Sequence, residues 1–347
     1  MKHAGRNVVG LDIEPGYVAA VQGSAGRVAV QRAASAALIP GAVRDGEVVD
    51  VDALADALRA LFSEHKLGKR VRLGVANQRI VMRAIDLPPL TDDKQISSAI
   101  RFQAQDHIPM PLEQAVIEHQ VLGTIDTPEG QRTRVLVVAA RRDMIDRLLE
   151  AVRRAGLTPQ GIDLSAFAMI RALHRPGRSF PVVYVNVGGM TNLAVAEGVM
   201  CSFTRTIPYG TESIASELAE RRGLTLEHAH GWMAHVGLLE PIESLSGDPE
   251  IVAEARAVLT DGARRVGQEV RNSLDFHTGR EGSSPLERMV LTGPAVSIAG
   301  FADEVAAQVG LPLELGLVDE AAPGGFGGVD PGRLAVAAGL TVSEVAA

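Results

Sequence analysis

A single cysteine, Cys201, stands in 347 residues, so an internal disulfide and a cysteine-built zinc cluster are both excluded. Cys201 lies in a strand-like run and reads as a buried structural thiol. Aromatic residues make up 3% of the chain, which leaves the core to Val, Leu, Ile and Ala. No apolar run reaches the roughly 18 residues of a membrane span. The N-terminus has no long apolar h-region of the kind a signal peptide carries, and the expectation is a cytoplasmic location. Positive charge is also in deficit. With 42 acidic and 34 basic residues the formal charge is -8, a balance that argues against nucleic acid as the main partner. Arg141-Arg142 and Arg153-Arg154 sit in amphipathic helical stretches and read as solvated faces. What the chain does have is 46% hydrophobic content and more length than one compact core usually fills, so two lobes are expected.

Two segments share one plan. Val8 to Ile13, the turn Glu14-Pro15-Gly16 and Tyr17 to Gln22 read as strand, turn and returning strand. Val182 to Val187, the turn Gly188-Gly189-Met190 and Thr191 to Ala196 repeat it. Each continues into a third strand. Self-similarity half a chain apart points to related lobes, and a polar residue closing an apolar strand before a turn faces a cleft between them. That layout resembles the actin-like nucleotide-binding fold.

Along the chain, Leu54, Leu58, Leu61 and Phe62 recur at helical spacing in a helix over 51–67 that Gly68 ends. A strand follows at 71–76. Arg79 to Asp86 alternates like a half-buried strand, and Leu87-Pro88-Pro89-Leu90 ends it. Thr91 is the expected N-cap of a helix with Asp92 and Asp93 in its first turn, lined by Ile96, Ala99, Ile100, Gln103 and Ala104. Strands at 116–122 and 134–140 and a helix at 143–155, closed by Gly156, complete a block large enough to be an insertion. A helix over 162–173, a linker at 175–178, a mostly helical stretch over 210–280, a strand at 289–293 and helices at 301–309 and 333–342 make up the rest. The Gly-rich loop 323–332 lacks the Lys-Ser/Thr ending of a phosphate loop. His228, His230 and His235 have no metal-binding spacing.

The middle block is the most specific. Arg83-Ala84-Ile85-Asp86-Leu87-Pro88-Pro89-Leu90, then Ile100-Arg101-Phe102-Gln103-Ala104-Gln105-Asp106-His107-Ile108-Pro109, then His119 to Gly123 resemble the type IV pilus assembly PilM family. So do Val137 to Ala140, Ala155 to Pro159 and Glu269 to Phe276. That family resembles FtsA. The resemblance implies an α/β, actin-like, two-lobed fold with duplicated ribonuclease-H-like domains and an inserted SHS2-type subdomain. The implied subdomains are 1–75 with 156–178, the insertion 76–155, 179–210 with 285–347, and 211–284. It also implies a protein held at the cytoplasmic face of the inner membrane by the N-terminal tail of a PilN-like membrane protein, and linked through it to PilO and the pilus motor ATPases. Arg83, Leu87, Phe102, Gln103, Ile108 and Pro109 are the implied tail-binding residues, in a groove beside the insertion.

The resemblance further implies ATP with magnesium as the ligand class. Asp12 falls at the metal position, and Asn186, Gly188, Gly189, Thr191, Glu269 and Gly293 fall at nucleotide positions. Several family features are missing. Glu14 stands where the family has Gly, placing a carboxylate where phosphate would lie, and Pro15 removes an N–H donor. Ala19 replaces a Lys, Asn186 replaces an Asp, Ser165 replaces a residue able to orient water, and Pro294 interrupts the glycines after Gly293. The second turn is one residue short. The expectation is a scaffold in which nucleotide binding is weakened or lost and hydrolysis is absent or negligible. The alternative is an active actin-like ATPase whose ATP state gates partner binding.

Overall fold

The computed structural model describes residues 8–23, 28–90, 92–128, 130–178, 180–279, 284–321 and 323–342. Its contacts divide the chain into a larger unit, residues 1–76 and 151–347, and a smaller one, residues 77–150.

The larger unit opens with the meander β1 (Val9–Glu14), β2 (Tyr17–Gly23) and β3 (Val30–Ala37), followed by the small hairpin β4 (Val43–Arg44) and β5 (Glu47–Val48). Helix α1 (Val51–Glu64) is capped by Asp50, whose side chain accepts the Ala53 N–H at 2.9 Å, and it buries Leu54, Leu58, Leu61 and Phe62. It ends three residues before the predicted Leu67 because Lys66 turns left-handed, at φ +51°. Strand β6 (Arg70–Val75) then pairs parallel with β1.

The smaller unit contains β7 (Val81–Leu87), α2 (Asp93–His107), β8 (Ala115–Thr127), β9 (Gly130–Arg141) and the first part of α3 (Arg142–Arg154). Its antiparallel sheet runs β7-β9-β8, so β7 and β8 are edges. Ile85, Leu87, Ile96, Ile100, Ile108, Val135, Val137 and Ala139 form its core. Thr91 lies outside the described residues. Asp92 accepts the Gln95 N–H at 3.0 Å, the bond an N-cap makes.

After α3 the larger unit resumes. The first three residues of the helix expected over 162–173 are strand. Residues Thr158–Leu164 form β10, parallel to β6 with a bulge between Pro159 and Gly161, and only Ser165–Leu173 is helix α4. The Asp163 side chain pairs with Arg171 of that helix. Next come β11 (Val182–Val187), β12 (Thr191–Glu197), β13 (Met200–Ile207), α5 (Thr211–Arg222), α6 (Leu226–Val236), α7 (Pro249–Thr278), β14 (Arg288–Thr292), α8 (Phe301–Val309), β15 (Leu313–Leu315) and α9 (Ala335–Leu340). Helix α7 starts on Asp248, whose carboxylate accepts the Glu250 and Ile251 N–H groups, with Pro249 in the first turn.

The two five-stranded sheets run β10-β6-β1-β2-β3 and β15-β14-β11-β12-β13. Their pairings match: the central meander is antiparallel, and the two remaining strands are parallel to its first strand. The repeat read from the two strand-turn-strand segments is therefore a duplication of whole sheets. Every residue of β11 is buried, and every residue of β1 except half-buried Ile13, and Cys201 is buried on β13.

Candidate functional site

The duplication brings the two hairpin turns together. In the first hairpin the ladder runs two residues past Asp12, to the closing pair Glu14 and Tyr17, leaving Pro15-Gly16 as the loop. Gly16 takes φ +86°, the value that the position after proline requires in a type II turn. In the second hairpin the ladder runs only one residue past Asn186, to Val187 and Thr191, and the loop is Gly188 to Met190. The longer first ladder carries Glu14 across to the second turn. Its carboxylate accepts Asn186 Nδ2–H at 3.2 Å and the Met190 N–H at 3.2 Å, and the Gly189 N–H as well.

Both glycines of the second turn are needed for this approach. A Cβ on Gly188 would lie 2.8 Å from Glu14 Oε2 and 2.9 Å from the Tyr17 hydroxyl, and one on Gly189 would lie 2.1 Å from the Pro15 carbonyl oxygen. Thr211 donates its hydroxyl to the Gly188 carbonyl at 2.8 Å, and Thr191 donates to the Tyr209 carbonyl at 2.8 Å. Arg333 stacks over the Tyr17 ring at 4.8 Å. Asp12, Glu14 and Asn186 are each buried to within 4% of full cover. Burial, and behind it the charge of Glu14, pushes the Asp12 carboxyl well above its usual range. Burial also raises Glu14 to about 7, against the pull of its bonds from Met190, Gly189 and Asn186.

The other nucleotide positions are scattered or filled. Gly293 takes φ +101°, and a Cβ there would meet the Val187 carbonyl oxygen at 2.4 Å. Its N–H donates to the Gly332 carbonyl at 3.0 Å, so the end of the Gly-rich loop packs directly on it. Glu269 is half-buried on α7, a different element from either turn. Ala19 is fully buried on β2, and Ser165 is buried at the start of α4.

These residues do not fit a magnesium nucleotide. A phosphate on the second turn needs backbone N–H donors, and those of Gly189 and Met190 already serve Glu14. Asn192 Oδ1, buried without a hydrogen-bond partner, is an acceptor and offers a phosphate nothing. Among the described residues no group of three or more His, Cys, Asp or Glu could hold a metal ion. A cleft of about 260 Å³ opens at the turn tips, lined in part by Pro15, Gly16, Arg44, Gly189, Met190 and Glu212. Asp12, Asn186, Glu269 and Gly293 are not among its lining residues.

The expected partner residues separate into two groups within the smaller unit. Leu87 and Ile108 are buried in its core, so they hold the surface rather than form it. Arg83 is exposed on edge strand β7, where it donates to the Met82 carbonyl. Pro109 is exposed and Gln103 half-buried. Phe102 is 79% exposed. It follows buried Ile100 by two residues, about 200° round the helix, which sets it on the outer flank of α2 and out of the core. No helix among the described residues is long and apolar enough to cross a membrane.

Comparison with known proteins agrees with this architecture. A solved PilM–PilN type IV pilus biogenesis complex matches with a TM-score of 0.80 and 25% identity, over 99% of this chain and 100% of that chain. MreB5 of Spiroplasma citri bound to ADP matches at 0.55 with 13% identity, covering 96% and 94% of the two chains. EutJ of Carboxydothermus hydrogenoformans matches at 0.52 with 17% identity, covering 97% and 89%. The last two establish the actin-like fold alone. The cell division protein FtsA of Streptococcus pneumoniae is 22% identical over 245 residues, 62% of this chain and 53% of FtsA, so the match spans about half the length of that relative. Residues 10–316 match the family of the type IV pilus assembly protein PilM, and the chain belongs to that family.

Proposed function

We propose that this chain is a docking scaffold of a type IV pilus assembly machine that takes the N-terminal cytoplasmic tail of a PilN-like membrane protein on its smaller unit. That tail holds it at the cytoplasmic face of the inner membrane and connects it to PilO and the motor ATPases. Nucleotide has no part in the docking. The reading is supported by family membership and by the full-length likeness to a PilM bound to PilN.

The observation that carries it is the outward Phe102 on the unit whose sheet ends in β7. An exposed edge strand offers unpaired N–H and C=O groups to an extended peptide. An exposed aromatic supplies an anchor that a soluble surface otherwise has little reason to keep. Arg83, on the same edge strand, is the charged contact.

The test is calorimetry with a synthetic peptide of the neighbouring PilN-like tail. Phe102→Ala is expected to weaken binding by about thirty-fold, the size of an aromatic hot spot of ~2 kcal/mol. Arg83→Glu is expected to abolish detectable binding. Neither variant should move the melting temperature, because both side chains are exposed. Unchanged affinity in both would place the tail elsewhere.

A further inference from the structure

The departures from the family's nucleotide cleft form one arrangement. The Glu14 carboxylate lies 3.2 Å from two donors of the second lobe, one from the Asn186 side chain and one from the Met190 backbone, and also takes the Gly189 N–H. Successive backbone N–H groups pointing into a turn make a nest for an anion. Here the nest belongs to one lobe and the anion to the other. We propose that the Glu14 carboxyl group is a built-in ligand that occupies the phosphate nest of the second hairpin and ties the two hairpins together without any nucleotide.

Three further features point the same way. First, the residue opposite Glu14 is an amide. An aspartate at position 186 would set two carboxylates against each other in a buried site, where like charges are costly. Asparagine supplies an N–H instead. Second, the approach is close on both sides: Gly189 leaves its side-chain space to the Pro15 carbonyl, and Gly188 leaves its space to Glu14 and Tyr17. Third, the nest is anchored from behind, since the Thr211 N–H and hydroxyl both donate to the Gly188 carbonyl at 2.8 Å. The second turn is therefore fixed from its own lobe and meets a carboxylate from the other.

The resident ligand of the nest is a carboxyl group, and it is part of the chain. The inference stands apart from the tail docking proposed above, since it involves only the larger unit, and its tests use no peptide.

The decisive experiment exchanges the polarity of the pair. Asn186→Asp alone should lower the melting temperature sharply. Adding Glu14→Gln restores a donor facing a carboxylate, and the double variant should recover most of the loss. A double variant no more stable than Asn186→Asp alone would overturn the proposal. Should Asn186→Asp fail to fold, Glu14→Ala read by amide hydrogen exchange decides the matter. The Gly189 and Met190 amides should exchange at least ten-fold faster, with the amides of β6 and α8 unchanged, and equal protection in the two proteins would overturn the assignment. Mg-ATP at millimolar concentration should leave the melting temperature of the unmodified chain where it is. A stabilisation by Mg-ATP would show that phosphate can take the nest from Glu14, which also overturns it.

Discussion

Replacing Gly189 with alanine tests the meeting of the two hairpins more directly than any charge change. The added methyl would stand 2.1 Å from the Pro15 carbonyl oxygen and 3.0 Å from its carbon. Ordinary contact needs a separation larger by more than about 1 Å. Neither side has slack to give. Pro15 has a fixed φ, its loop is only two residues long, and it is held by the Glu14–Tyr17 pair. On the other side Gly188 is tied to Thr211. The hairpins must therefore part, and the two 3.2 Å bonds to Glu14 lengthen with them. Overpacking of this kind costs about 1–3 kcal/mol, and weakening a charged hydrogen bond adds about 1.5 kcal/mol or more. A loss of about 3 kcal/mol corresponds to a fall of roughly 6 °C or more in melting temperature at the slope of large domains. Gly231→Ala is the matched control. It lies within α6, and nothing but its own helix comes within 4 Å of the new methyl, so it should stabilise by about 0.5–1 kcal/mol through helix propensity. Thermal and denaturant unfolding of the full chain measure both. If Gly189→Ala melts within about 1 °C of the parent protein, the hairpins do not meet as described.

Other outcomes follow from the same structure. Glu14 is raised from 4.5 to about 7 by burial, so the folded chain binds its proton more tightly than the unfolded chain does. The associated stability is fully present below about pH 4.5 and is lost as pH rises through 7. It is on the order of 3 kcal/mol, in a setting that also includes Asp12, Tyr17, Arg333 and Asp330. Denaturation midpoints from pH 5 to 8 should decline in the parent and decline less steeply in Glu14→Gln, where buried Asp12 still titrates. Cys201 is buried and its thiol is pushed up to about 12, so thiol reagents should label it only as fast as the protein unfolds; rapid labelling of the native chain would contradict its placement. Arg134 pairs with Asp86 across β7 and β9 at 2.7 Å, with both side chains well exposed. Arg134→Ala should therefore cost less than about 1 kcal/mol, measured by denaturant titration.

Periodicity made most of the larger unit readable. The two apolar strand-turn-strand segments and helices such as Phe301–Val309 carry strong local signals and stand where the sequence puts them. Elements whose stability comes from distant partners were harder to read. Strand β10 pairs with β6 from an edge, carries a bulge and is half-exposed along most of its length, while Leu164 to Ala168 already looks helical, so the helix reading ran too far back. The β4–β5 hairpin and the three-residue β15 are too short to show a period. In the smaller unit the spacing identified the helix and the face that carries buried Ile96 and Ile100, a face that leaves out Phe102. At the cleft, sequence reasoning saw that a carboxylate at position 14 would repel phosphate. It missed the donors that hold the carboxylate, because they lie 172 and 176 residues away.

Those distances change what the departures from the family pattern mean. Read one at a time, Glu14, Asn186 and Pro15 each subtract something from a nucleotide site: a glycine, a metal-directing charge, an N–H donor. Losses of that kind, accumulating independently, would leave unpaired polar groups in a closed cleft. Each buried group left so costs about 1–3 kcal/mol. The structure instead pairs them. The carboxylate that would expel phosphate bonds to the donors phosphate would have used. The amide that lacks a metal-directing charge is the donor this carboxylate requires. The proline that removes an N–H presents its carbonyl over Gly189, where only glycine leaves room. A substitution at Glu14 or Asn186 breaks the hydrogen bond that joins the two side chains. In the proposed arrangement the two hairpins depend on their own side chains for the contacts that a bound nucleotide would supply, and the polarity exchange between Glu14 and Asn186 measures that dependence directly.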